Sequence, residues 1–188
     1  TYPEREMSYL VVDAFDEGSF VKVLPDENKI VGYTTKNAGS VTPDFCNWFV
    51  IESDTPFEYV SCVENGQFRQ TTEMKADHAG AVVGFPTVKG QQVHFRVASS
   101  FISLEQAEIN LREVEGRSFD QVAQAGREKW NEVLGRIQVA DEDEDNVRTF
   151  YSCLYRSLLF PRKFYEIDKT GKPVHYSPYN GKGCDGYM

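Results

Sequence analysis

The feature that most constrains this chain is a change of hydrophobic period near Ser100. Before it, apolar residues alternate in short runs broken by turn residues; after it, they recur every third or fourth position. Side chains alternate between faces on a strand and return about every 3.6 residues on a helix, so the two halves are different kinds of structure. The runs at 9–15, 20–24, 29–34, 47–51, 57–63, 79–85 and 92–98 are rich in Val, Phe, Tyr and Ile. Between them stand breakers such as Asp16-Glu17-Gly18, Pro25-Asp26-Glu27-Asn28, Asn65-Gly66 and Lys89-Gly90. The pattern predicts short strands in an antiparallel β-sandwich over residues 1–100.

Three helices are predicted beyond it. Ser103 with Gln106 opens the first as a capping box, with Leu104, Ala107, Leu111 and Val114 on one face before Gly116. Ser118 with Gln121 opens a second, whose face is Phe119, Val122, Ala123, Trp130, Val133 and Leu134, and Gly135 closes it. The third covers about 142–160 on Val147, Phe150, Tyr151, Leu154, Tyr155, Leu158 and Leu159, and Pro161 stops it. That apolar face needs a partner layer, and its exposure predicts that the chain self-associates. The organisation expected is a sandwich at 1–100, a helical linker at 101–140 and the truncated start of a helical domain at 141–188.

Composition removes several classes of function. With 29 acidic against 20 basic residues, the net charge of −9 disfavours binding to nucleic acid. No apolar run reaches the roughly 18 residues of a membrane span. The four cysteines (Cys46, Cys62, Cys153, Cys184) lack C-x-x-C spacing and read as isolated thiols, and the three histidines (His78, His94, His175) are too far apart for a zinc motif. Thr1-Tyr2-Pro3-Glu4 resembles neither a native start nor a signal peptide, so the chain is expected to be a piece of a longer protein.

Several constellations bear on chemistry. Asp141 to Asp145 alternates like a calcium loop but has Asn146 and Ser152 where an EF-hand needs Gly and Glu, and acids at a helix start suit the helix dipole. Gly181-Lys182-Gly183-Cys184-Asp185-Gly186 matches a dinucleotide fingerprint by letter but lacks the flanking strand and helix, and reads as a flexible loop. The cations Arg156, Arg162, Lys163, Lys169 and Lys172 suit a helix C-terminus better than an anion site. Glu166, Asp168 and Asp185 include carboxylates that could do glycosidase chemistry at the right separation. The loop 35–45 either turns a corner or sits over a ligand, and Phe45 and Trp48 at its end are either core or the aromatic wall of a sugar pocket.

Ser100-Phe101-Ile102-Ser103-Leu104-Glu105-Gln106-Ala107, Asn110-Leu111, the segment 130–134 and above all the motif from Phe150 to Arg162 resemble glycoside hydrolase family 92. The stretch 37–57, with Phe45-Cys46-Asn47-Trp48-Phe49-Val50-Ile51, resembles the sandwich domain of the same family. The resemblance implies a supersandwich-like β-domain joined through a helical linker to an (α/α)6 barrel. It also implies a calcium-dependent, inverting exo-α-mannosidase acting on terminal α-linked mannose of glycans, α-1,2 linkages first, in a bacterial protein exported to the periplasm or cell surface. Residues 1–100 are expected to be the C-terminal part of the family's N-domain, whose opening segment, part of which lines the mannose pocket, is expected before Thr1. The general acid, general base and most calcium ligands are expected after Met188. No catalytic residue or metal ligand is therefore assigned to this chain, which is expected to be inactive alone, and Phe45 is the one substrate-binding residue assigned. The alternatives are a non-catalytic carbohydrate-binding or scaffolding sandwich, and a complete small enzyme using Glu166 or Asp185.

Overall fold

Strand β2 (Ser19–Leu24) shows the alternation most plainly: Ser19, Val21 and Val23 are buried while Phe20, Lys22 and Leu24 are only partly so. The structure is a computed structural model that describes residues 1–37, 39–160 and 162–188. In it β2 lies in a five-stranded sheet with β7 (Glu73–Ala76), β3 (Lys29–Thr34), β4 (Asn47–Ser53) and β9 (Phe95–Ser100), in the order β7-β2-β3-β4-β9. A four-stranded sheet, β1 (Arg5–Asp13), β8 (Ala79–Thr87), β5 (Tyr59–Glu64) and β6 (Gln67–Arg69), has the order β1-β8-β5-β6. Every neighbouring pair is antiparallel. Val21, Val23, Ile30, Cys62, Val83 and Phe85 fill the space between the sheets, so the expected sandwich is present. The short strands β6 and β7 were not among the runs read from sequence. β6 follows the Asn65-Gly66 turn, where both residues have positive φ, and all three of its residues are exposed, so no apolar alternation marks it.

Gly32 allows the closest approach in the five-stranded sheet. A Cβ there would stand 2.2 Å from the Phe20 carbonyl oxygen and 2.6 Å from Cζ of Phe49. Phe49 packs against the core between the sheets, so its ring has little room to retreat.

The same sheet is covered on its other face. Helix α1 (Leu104–Leu111) packs on β9, β4 and β3, and its Ala107 closes a second core with Val31 and Val50. Burial on both faces is why neighbouring residues Ile30 and Val31 of β3 are both apolar. The structure divides into two compact units, Thr1–Glu115 with Tyr165–Met188, and Gly116–Phe164. In the second unit, α2 (Phe119–Leu134) starts with the reciprocal Ser118/Gln121 capping box and ends at Gly135. Asp143 caps α3 (Glu144–Ser157) by accepting from the Asp145 N–H, so the acidic run serves a helix start. Helix α3 stops at Ser157, short of the expected 160, and Pro161 lies outside the described residues. Trp130 meets Tyr155 between α2 and α3, with ring centroids 4.6 Å apart, while Leu158, Leu159 and Phe160 are exposed.

Residues 165–188 differ from the helical character expected of 141–188. They carry β10 (Glu166–Ile167), β11 (Pro173–Tyr176) and β12 (Gly183–Asp185), a small antiparallel sheet grouped with the sandwich unit. Strand β12 occupies the stretch read as a flexible glycine loop. Its anchor is polar: Glu166 Oε1 accepts from the Phe101 N–H at 2.9 Å and Oε2 from Asn110 Nδ2 at 2.7 Å. Gln106 Nε2 donates to the Ile167 carbonyl at 2.7 Å. Gln106 therefore does not complete the capping box predicted at Ser103: Ser103 Oγ accepts from the Gln106 N–H, but the Gln106 side chain is directed to β10 and to Asn110.

Because the space at Gly32 is closed by backbone and a core ring, Gly32→Ala is expected to lower stability by about 1–3 kcal/mol. Urea unfolding of the two proteins measures it, and an unchanged midpoint would mean that the sheet yields at this point.

Candidate functional site

The loop that leaves β3 and returns as β4 ends in a tight turn, Thr42-Pro43-Asp44-Phe45, closed by the Phe45 N–H donating to the Thr42 carbonyl at 3.0 Å. Proline in second place suits such a turn because its φ is already set. The turn delivers two side chains to one place. Phe45 stacks on Phe101 with centroids 5.3 Å apart and planes at 21°, and it meets Tyr176 at 5.7 Å and 56°. Tyr176, at 8% exposure, donates its hydroxyl to Asp44 Oδ1 at 3.0 Å and lies 2.7 Å from the Thr42 hydroxyl. Phe101 comes from the end of β9 and Tyr176 from β11, so the cluster forms only once the small sheet is docked.

The electrostatics follow from these contacts. The Thr42 hydroxyl and then the Tyr176 hydroxyl hold the exposed Asp44 carboxyl below the usual aspartate value. Burial, with the Asp44 carboxylate beside it, pushes the Tyr176 phenol up. Asp44 is thus an ionised acceptor beside an aromatic stack, an arrangement suited to a sugar hydroxyl next to an apolar ring face. Gly181 (φ +70°) backs it, since a Cβ there would stand 3.0 Å from Asp44 Oδ1. Phe45 is legible in the sequence, whereas Asp44 and Tyr176, which lie 132 residues apart, are not; the one local signal that could lead to Asp44 is the proline before it, which favours a turn.

Trp48 has a different place, packed against the core under α1. Of the other carboxylates, Glu166 has both oxygens in the anchor described above. Asp168 Oδ1 accepts from the Thr170 N–H, the Thr170 hydroxyl and the Lys172 N–H. The Lys172 amide foremost holds Asp168 below the usual value, the opposite of what a general acid needs. Asp185 lines a separate cavity of about 350 Å³ between α1 and the small sheet, with Gln106, Ile109, His175 and Cys184. Lys169, read as part of a basic helix end, pairs with Glu105 at 3.5 Å. All four cysteines are free, and burial pushes the Cys62 thiol up to about 11. Among the described residues no three His, Cys, Asp or Glu side chains are grouped so that they could hold a metal ion.

Two family models match the chain in order. The glycosyl hydrolase family 92 N-terminal domain matches residues 1–100, and the catalytic domain of the same family matches residues 106–187. The chain belongs to glycosyl hydrolase family 92. Among solved structures it is similar to a family 92 inverting mannosidase from Bacteroides thetaiotaomicron, with 42% identity over 100% of this chain and 26% of that one, and a TM-score of 0.96. It also shares its fold with a family 92 α-mannosidase of the same organism solved in complex with mannoimidazole, at 21% identity over 98% of this chain and 25% of that one, with a TM-score of 0.83. The chain therefore spans about a quarter of the length of these relatives. No curated protein matches it. The match to the family's N-terminal model ends at Ser100, the last residue of β9, and the match to its catalytic model begins at Gln106, the residue whose side chain holds β10.

Removing the Thr42 hydroxyl with Thr42→Val is expected to raise the Asp44 pKa toward the usual aspartate value, and Tyr176→Phe to raise it by less. Because the folded value is depressed, the stability this carboxylate contributes is present above its unfolded pKa and fades as pH falls through the folded one. A carboxyl-detected NMR titration reads the change; an Asp44 pKa equal in all three proteins would show that these hydroxyls do not hold it.

Proposed function

We propose that this chain is part of the N-terminal sandwich and the opening of the catalytic domain of an exo-acting α-mannosidase that releases terminal α-linked mannose, α-1,2 linkages included, from glycans with inversion. The observation that carries the reading is the ordered match to both family 92 domains, joined to 42% identity over the whole chain with an inverting mannosidase. In this reading Phe45 offers a ring to the apolar face of the sugar, and Asp44 accepts from one of its hydroxyls.

An inverting glycosidase needs a protonated carboxyl and an ionised one roughly 6.5–9.5 Å apart, with a water between the second and the anomeric carbon. Glu166 and Asp168 are held as acceptors in structural hydrogen bonds, so the reading assigns the acid and base to the remainder of the protein. Calcium, which the family resemblance implies, is assigned there too, and export to the periplasm or cell surface belongs to the same reading.

The test is release of mannose from α-1,2-mannobiose by this chain and by the full-length protein. Activity is expected only in the full-length protein, removed by a calcium chelator that leaves the melting temperature of this chain unchanged. Phe45→Ala in the full-length protein is expected to raise KM about tenfold, the scale of one lost aromatic contact. Release by this chain alone would overturn the placement of the carboxyls, and no release by either protein would overturn the mannosidase reading.

A further inference from the structure

A second cavity, of about 490 Å³, opens where β2, β3 and β7 meet the other side of the loop. Its volume lies in the range of small-molecule sites, roughly 300–1,000 Å³. One wall is Tyr33, the middle ring of an aromatic row that crosses the sheet in register. Phe20 pairs with Tyr33 across β2 and β3, and Tyr33 with Trp48 across β3 and β4. The ring centroids are 5.8 Å apart at 26° and 4.8 Å apart at 61°. Lys75 extends the row, standing opposite Phe20 on β7, and also lines the cavity. Trp48 belongs to the core under α1, which secures one end of the row, while Tyr33 at its centre is only half-buried.

The polar lining narrows the ligand. The hydroxyls of Tyr33 and Ser40 and the ammonium of Lys75 make no hydrogen bond or ion pair within the protein among the described residues. The acidic side is already balanced, because Lys36 pairs with Asp16 at 2.9 Å and with Glu17 at 2.7 Å. Lys36 and Lys75 together offset Asp16 and Glu17, of which only Glu17 lines the cavity, so charge gives an anion little advantage. An aromatic wall, two hydroxyls and one ammonium match a ring that has C–H faces and many neutral hydroxyl groups.

We propose that this cavity is a sugar-binding site of the sandwich, taking a neutral pyranose unit of a glycan with its C–H face toward Tyr33 and its hydroxyls toward Ser40 and Lys75. It is separate from the Phe45 cluster, with which it shares only the Thr42 turn. The inference stands on the cavity and not on the mannosidase reading, and its test involves no hydrolysis.

Saturation-transfer NMR and titration of the chain with α-1,2-mannobiose and with cellobiose test it. At least one disaccharide is expected to receive saturation on its ring protons, with Kd raised about tenfold by Tyr33→Leu and to a smaller extent by Lys75→Ala. Phe68→Leu, at an exposed ring of the other sheet, is expected to leave Kd unchanged. Tyr33→Leu keeps an apolar side chain on the sheet, and Lys75 is exposed, so loss of binding in both is not attributable to unfolding. No transfer to either sugar, or transfer that neither variant weakens, would overturn the proposal.

Discussion

Glu166 donates nothing and accepts twice, and the arrangement of the candidate site depends on those two bonds. One carboxylate oxygen takes the Phe101 N–H where β9 ends, and the other takes the Asn110 amide near the end of α1. Hydrogen bonds to a charged group contribute more than neutral ones, about 1.5–3 kcal/mol each. Strands of two to four residues have no stability of their own in water, so β10, β11 and β12 need such an attachment. Gln106 adds the bond to the Ile167 carbonyl, and it does so from a buried position. Once the small sheet is held, Tyr176 reaches Phe45 and Asp44; without it, the Phe45 turn would lose its largest polar partner.

Much of the architecture was legible because it rests on local rules. Alternation placed β2, β3 and β4, and Ser118 with Gln121 marked the start of α2 because a reciprocal capping box is written within four residues. The Asp141 to Asp145 run was legible as a helix start for the same reason. What escaped was long-range or polar. Residues 166–185 lack an apolar period, and their anchor joins residues 56 to 65 positions apart. Gln106 misled in an instructive way, since the letters of a capping box were present but the side chain had a stronger use elsewhere. At the site, Phe45 could be found from its loop, whereas the partnership of Asp44 with Tyr176 exists only in three dimensions.

The carboxylates fall into two groups by what their oxygens meet. Asp44 is exposed and ionised beside rings, which suits it to hold a hydroxyl. Glu166 and Asp168 are consumed by backbone and side-chain donors, which suits them to hold structure. A sandwich whose outer sheet also carries the Phe20, Tyr33 and Trp48 row presents aromatic surface on both sides of one loop. The aromatic cluster is built jointly by Phe45, from the stretch that matches the family 92 N-terminal domain, and Tyr176, from the stretch that matches its catalytic domain.

Amide hydrogen exchange across β11 and β12, compared between the native chain and Glu166→Ala, tests that dependence most directly. The account predicts protected amides at residues 174–176 and 183–185 in the native chain. In the variant their protection falls sharply, while β2, β3 and β4 exchange as before. Unchanged protection of β11 and β12 in Glu166→Ala would contradict it, and would mean that the small sheet is held by packing and not by the carboxylate.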